Sequence, residues 1–229
     1  MMDGTDQDYR PIEDYALIGD CHGAALVSSG GSIDWCAPLR MDGDPVFFRL
    51  LDADRGGAWS VEPEALRRTS RQYLPRTNIL QTLFETDTGV LEVTDFMPVG
   101  RTREAGTHDY VSLNAPGWVV RRLRCRSGEV TARMRIVPRE AGFCTDPLEA
   151  SLDPGCIRFA DGTTLWTDGA AARAGDGVEV ALRLGAGDSH DCVLTQLEPL
   201  FDPRTRADEL FERTRAFWKE WCEYSRYHG

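Results

Sequence analysis

The sequence predicts an all-β protein, a large antiparallel β-sandwich of the super-sandwich type, followed by one C-terminal amphipathic helix. Three observations predict it. Short apolar runs recur along most of the chain, separated by Gly, Pro, Asp or Asn. Several runs alternate with period two, as in Val130, Ala132, Met134 and Ile136, which turns one face inward and the other to water. After Pro203 the chain then carries no glycine or proline until Gly229, and its apolar residues recur with helical spacing.

The elements follow in order. A polar tail, residues 1–10, precedes the sandwich, expected over 11–200. The runs YALIGD, GAALVSS, SIDWCA, GAWSVEP, RQYLP, ILQTLFET and GVLEVTDFMPV read as its first strands. WVVRRLRC, EVTARMRIVP, CIRFAD, TTLWTD, VEVALRLG and HDCVLTQL read as the rest. Turn signals such as SSGGS, TDTG, RSGE and ADGT separate them. In the first, Gly30 and Gly31 supply the positive φ of a tight hairpin, so Val27 and Ile33 should pair across it. Residues 100–117 read as a long polar surface loop. The helix occupies 201–229, with Asp202-Pro203 as cap and first-turn pair. Leu210, Phe217, Trp218, Trp221 and Tyr224 fall near one stripe, which needs a cover: its own sandwich, or another domain or subunit.

Composition narrows the function classes. The 229 residues are 41% hydrophobic and 28% charged, ordinary for a globular chain able to bury a core. A net charge of −11 repels phosphate backbones and anionic lipid, so neither nucleic acid nor membrane is expected as partner. The arginines of VVRRLRCRSG should spread over one solvated strand face. The N-terminus is acidic and polar where a signal peptide is basic then apolar, and no window approaches a membrane span; cytoplasm is the expected compartment. Seven cysteines form no CxxC pair, and the histidines at 22, 108, 190 and 228 share no ligand spacing, so no metal or other cofactor is expected. No GxSxG elbow or phosphate-cradling glycine loop occurs. Cys21 and His22, adjacent in sequence, should point to opposite faces of a strand.

The ordered motifs PIEDYALIGD, GAALVSSGGSIDWCAPLRMDGDPVFFRLLD, GAWSVEP, RQYLPRTNILQTLFETDTGVLEVTDFMPV and AFWKEWCEYSRYHG carry a resemblance. Together they resemble the N-terminal region of bacterial glycoside hydrolase family 15 proteins, the glucoamylase-like and trehalase-like enzymes. In such proteins a β-sandwich and linker helix precede an (α/α)6 barrel that carries two catalytic glutamates. The resemblance therefore implies a non-catalytic structural and docking domain, with no catalytic residue in this chain and a barrel as partner in cis or in trans. It also implies that Trp35, Arg40, Asp42 and Phe47 are interface or rim residues, alongside Phe217, Trp218, Trp221 and Tyr224 of the helix. The chain departs from the family where it reads PLRMDGDP in place of roughly PRFDSP, which weakens any inherited sugar contact.

The acids agree with a missing catalytic pair. Glycoside hydrolysis needs two facing carboxyls, one kept protonated by desolvation. Asp34, Asp42 and Asp44 sit where turns recruit aspartate, and Asp20 and Asp95 close strands, so turn capping is their expected role. Two other readings remain: a carbohydrate-binding module stacking a glucan on Trp35, Trp59, Trp118 or Trp166, and a homodimer formed through the helix.

Overall fold

The computed structural model describes residues 9–102 and 112–224. Residues 1–8, 103–111 with His108, and 225–229 with His228 lie outside the described residues.

Five strands open the first layer: β1 (Tyr15–Gly19), β2 (Ala24–Ser28), β3 (Ile33–Ala37), β4 (Phe47–Phe48) and β5 (Trp59–Pro63). The chain then crosses to a second layer through β6 (Leu66–Tyr73), β7 (Leu80–Thr86) and β8 (Gly89–Phe96). A separate two-residue ladder joins β9 (Gly100–Arg101) to β10 (Leu113–Asn114) at the described ends of the expected surface loop. Next come β11 (Val119–Ile136), β12 (Ala150–Asp153), β13 (Cys156–Phe159), β14 (Thr164–Trp166), β15 (Ala170–Ala174), β16 (Gly177–Gly185) and β17 (Ser189–Thr195). Every pairing is antiparallel, and fifteen strands form one continuous sheet.

That sheet becomes a sandwich because β11 belongs to both layers. Its first half pairs with β8 and β17, and its second half with β16 and β5. The RSGE turn expected between two strands is instead a bulge between Cys125 and Ser127, followed by Gly128 at φ +68. A bulge adds a residue to one strand and bends it, so the ladder changes layer without breaking. A Cβ on Gly128 would lie 2.0 Å from the Thr88 carbonyl oxygen. Gly128→Ala is expected to cost more than about 1 kcal/mol, read as a lower thermal midpoint; an unchanged midpoint would show that the corner tolerates a side chain.

The β2–β3 hairpin forms as expected, with Val27 opposite Ile33. Only Gly31 of the glycine pair takes a positive φ, and its N–H donates to the Ser28 carbonyl at 2.9 Å. Between the layers, Ile18, Val27, Ile33 and Trp59 meet Leu80, Phe84, Val93 and Leu123 in a single buried core. Cys21 and His22 lie in the β1–β2 turn, not on a strand, with Cys21 at φ +75.

The second layer is covered on its outer face too. Asp202 caps a 3-10 turn, Pro203–Arg206, accepting the Arg204 N–H at 2.9 Å, and the chain continues as α1 (Ala207–Glu223). Leu210 packs against Ile79, Phe96, Val120 and Val193, with Trp118, Trp166 and Phe211 at the margin. This explains why β11 is apolar on both faces in its first half: Val119 and Leu123 face the core, Val120 the helix.

Candidate functional site

The helix presents two different surfaces along its length. Ala207, Leu210, Thr214 and Phe217 are buried, a seam at helical spacing in which the sequence reading missed Ala207 and Thr214. The Thr214 hydroxyl donates to the Leu210 carbonyl at 2.7 Å and accepts the Val99 N–H at 3.1 Å, hooking the helix to the segment after β8. Beyond Phe217 the cover thins. Trp218 is half-buried, Trp221 is 37% exposed and Tyr224 is 55% exposed. The rings of Phe217, Trp218 and Trp221 form a cluster, with Phe217 stacked on Trp221 at 6.2 Å and edge-on to Trp218 at 5.3 Å. The Arg101 guanidinium lies 5.2 Å from the Phe217 ring centroid, closing the cluster on the side of β9. The helix thus folds back on its own sandwich through its first three turns and offers an aromatic surface at its end.

The candidate rim in the first layer is less uniform. Arg40 and Asp42 are exposed and hydrogen-bond each other at 2.9 and 2.7 Å, an arrangement that adds little stability in water. Trp35 is half-buried on β3 beside Phe48. Phe47 is completely buried in the core, so the expected rim role is corrected to a packing role. Alternation explains it, because adjacent Phe47 and Phe48 cannot both face outward from β4. Trp35 and Phe47 lie on β3 and β4 and Arg40 and Asp42 in the loop between them, whose Met41 N–H donates to the His22 carbonyl at 2.9 Å; the helix aromatics lie at the end of α1. As sugar platforms the tryptophans are poorly presented. Trp59 is fully buried, and Trp35, Trp118 and Trp166 are all half-buried.

The buried acids also differ from the turn-capping expectation. Asp20 does cap a turn, accepting the N–H groups of His22 and Gly23 at 3.0 and 2.8 Å, and burial raises its carboxyl. Asp34, by contrast, lies buried within β3, accepting the Tyr15 hydroxyl at 3.0 Å and the Ser32 hydroxyl at 2.6 Å. Asp95 is fully buried inside β8 and paired with Arg121, which sequence reasoning had placed on a solvated face. Arg121 donates to both Asp95 oxygens at 2.8 and 3.1 Å, and to the carbonyls of Trp59 and Gly31 at 2.8 and 2.9 Å. Its guanidinium carbon stands 4.8 Å from the Trp59 ring centroid. This network ties both layers to the β2–β3 turn. Asp34 and Asp95 are therefore engaged by donors of the fold through both oxygens, whereas Asp20 is engaged through Oδ1 and its buried Oδ2 has no hydrogen-bond partner among the described residues. Among the described residues, no group of three or more His, Cys, Asp or Glu is placed to hold a metal ion.

Tyr15 supplies a pH test of this arrangement. Burial, then the charge and hydrogen bond of Asp34, push its phenol from 10 up to about 12. A folded value above the unfolded one means stability that is complete below pH 10 and lost as pH rises from about 10 to about 12. In an ultraviolet absorbance titration, Tyr15→Phe is expected to remove the most alkaline part of the phenolate transition; loss of a phenol titrating near pH 10 would contradict the contact.

Residues 4–158 match the family described as trehalase-like, N-terminal, about two thirds of the chain. The chain belongs to the trehalase-like N-terminal family. The matched segment contains β1 to β12, the rim and the whole Asp95–Arg121–Trp59 network, and stops short of α1. Among curated proteins, the chain is 34% identical over 140 residues to a trehalase of Mycolicibacterium smegmatis, 57% of this chain and 20% of that protein. It is 33% identical over 140 residues to a trehalase of Mycobacterium tuberculosis, with the same coverage, and 40% identical over 85 residues to trehalase 1 of Sulfolobus acidocaldarius, 37% of this chain and 15% of that protein. The chain thus matches about a fifth of the length of the mycobacterial relatives. Within the family segment, the burial of Arg121 and its pairing with Asp95 are what sequence reasoning missed. A signal existed: an arginine in phase with Val119 and Leu123 points inward, and a buried arginine requires a buried carboxylate.

Proposed function

We propose that this chain is a non-catalytic structural and docking domain of a glycoside hydrolase family 15 protein of the trehalase or glucoamylase-like kind. Its partner is an (α/α)6 catalytic barrel, in cis or in trans, working in the cytoplasm. The observation that carries the reading is the family match together with the fifth of each mycobacterial trehalase that the similarity spans. The commitment of both carboxylate oxygens of Asp34 and of Asp95 to structural donors supports it, because hydrolysis requires a carboxyl free to exchange a proton with the substrate. Trp221 and Tyr224 are the docking residues: large aromatics, exposed at the end of an otherwise seated helix, are the usual anchors of interfaces.

The competing readings separate in solution. Calorimetric titration with trehalose and with maltooligosaccharides is expected to give no saturable heat, whereas saturable heat lost in Trp35→Ala, Trp118→Ala or Trp166→Ala would establish a carbohydrate-binding module. Light scattering is expected to give a monomer mass both for the chain and for a Trp221→Ser/Tyr224→Ser variant. A dimer dissociated by that variant would instead show that the helix end docks on a second copy.

A further inference from the structure

Beside the first turns of α1, the outer face of the second layer turns polar and carries a cleft of about 340 Å³. Four adjacent strands build its floor. Gln81 of β7, Thr94 of β8, Arg122 of β11 and Asp191 of β17 stand side by side across the ladders, and Glu92, Arg124 and Ser189 form the next row. Alternation places them there, because Leu91, Val93 and Leu123 take the core face and their neighbours take the other. Phe211 of α1 supplies an apolar wall.

Two floor residues are unlike ordinary surface groups. Thr94 is only 6% exposed and Glu92 only 7%. The Glu92 carboxylate meets Arg126 through Oε2 alone. Its Oε1 and the Thr94 hydroxyl have no hydrogen-bond partner among the described residues, yet neither atom is sealed from solvent, so both open on the cleft. Gln81, Arg124 and Ser189 add an amide, a guanidinium and a hydroxyl that make no side-chain hydrogen bond to the described residues. The other charges are matched within the fold: Arg122 bridges Asp191 at 2.9 Å and Asp208 at 2.8 Å, and Glu212 pairs with Arg215 at 2.6 Å. The lining is therefore close to neutral, which disfavours an ion as ligand, while its unused groups are donors and acceptors set side by side.

We propose that this cleft binds a small uncharged polyol one ring in size, a monosaccharide or a cyclitol. Every hydroxyl of such a ring both donates and accepts. Glu92 Oε1 takes a hydrogen, Arg124 gives one, and Gln81, Thr94 and Ser189 do either. A few placed polar groups beside an aromatic wall are the usual make-up of a small-molecule site. The volume lies at the lower end of such pockets, about 300–1,000 Å³, so a second ring has no room, and trehalose and maltooligosaccharides stay outside. The site is separate from the aromatic end of α1 and does not depend on the docking role.

The test is calorimetric titration of the 229-residue chain against glucose and against myo-inositol. Saturable one-to-one binding of at least one is expected, and the tighter of the two identifies the ring as a sugar's or a cyclitol's. Thr94→Val is expected to weaken binding about threefold or more, and Arg124→Met about tenfold or more. Neither side chain has a polar partner in the fold, so both variants should keep the thermal midpoint of the parent; purely structural residues would lower the midpoint and leave affinity alone. No saturable heat with either ring, or unchanged affinity in both variants, would overturn the proposal and leave the cleft to water. Saturable heat that Trp35→Ala abolishes and Thr94→Val leaves intact would overturn it as well, in favour of a sugar platform on β3.

Discussion

Arg121→Met is expected to lower the stability of the domain by about 3–5 kcal/mol, because it strands the fully buried Asp95 without a counter-charge. For a chain of this size that corresponds to a fall of roughly 6–20 °C in thermal midpoint. The loss has several sources. Four hydrogen bonds disappear, the Trp59 and Gly31 carbonyls lose a donor, and the cation over the Trp59 face is gone. The double variant Arg121→Met/Asp95→Leu is expected to cost clearly less than the sum of the two single changes, since removing both charges relieves the stranded carboxylate. It should not return fully to the parent, because the two carbonyls remain unmet. Strict additivity in urea or thermal melts would show that the pair acts as two independent groups and not as a bolt between layers.

Leu210→Ala carries the second large effect. Leu210 is buried among Ile79, Phe96, Val120 and Val193, and it is the main aliphatic contact of α1 with the outer face of the second layer. Truncation in such a site costs about 2–5 kcal/mol, depending on how far the surroundings collapse. Here the loss should be local first, because the sandwich core between the layers is a separate cluster. Amide hydrogen exchange is expected to accelerate across α1 while β7 and β8 keep their protection. Equal protection of helix and strands in the variant would mean that Thr214 with Val99, and Arg101 with Phe217, hold the helix without the leucine.

How much of this was legible in the sequence depended on burial. Strands with one wet face announced themselves by alternation, and the amphipathic helix and its Asp202 cap did the same by period and composition. Strands at the sheet edges did not. The first half of β6, with Arg67 and Arg68, and the alanine-rich β15 pair on one side only and bury little, so neither shows an apolar rhythm. β11 misled in the opposite way: a serine–glycine pair that usually ends a strand is here the bend that carries it between layers. The site residues divide along the same line. Trp221 and Tyr224, which helical spacing groups in one stripe with the buried Leu210 and Phe217, stand exposed, whereas Phe47 is core, and the partners of Asp34, Asp95 and Arg139 come from positions 19, 26 and 37 residues away in the chain. Local pattern reports which face a residue occupies; it cannot report which distant charge waits there.

The central claim is that this domain supports and docks but performs no hydrolysis. Its most direct test is the release of glucose from trehalose by the purified 229-residue chain, followed over long incubation at high protein concentration. The account predicts none above the protein-free rate, in the parent and in Asp34→Asn alike. Sustained turnover by the parent chain that Asp34→Asn abolishes would contradict it.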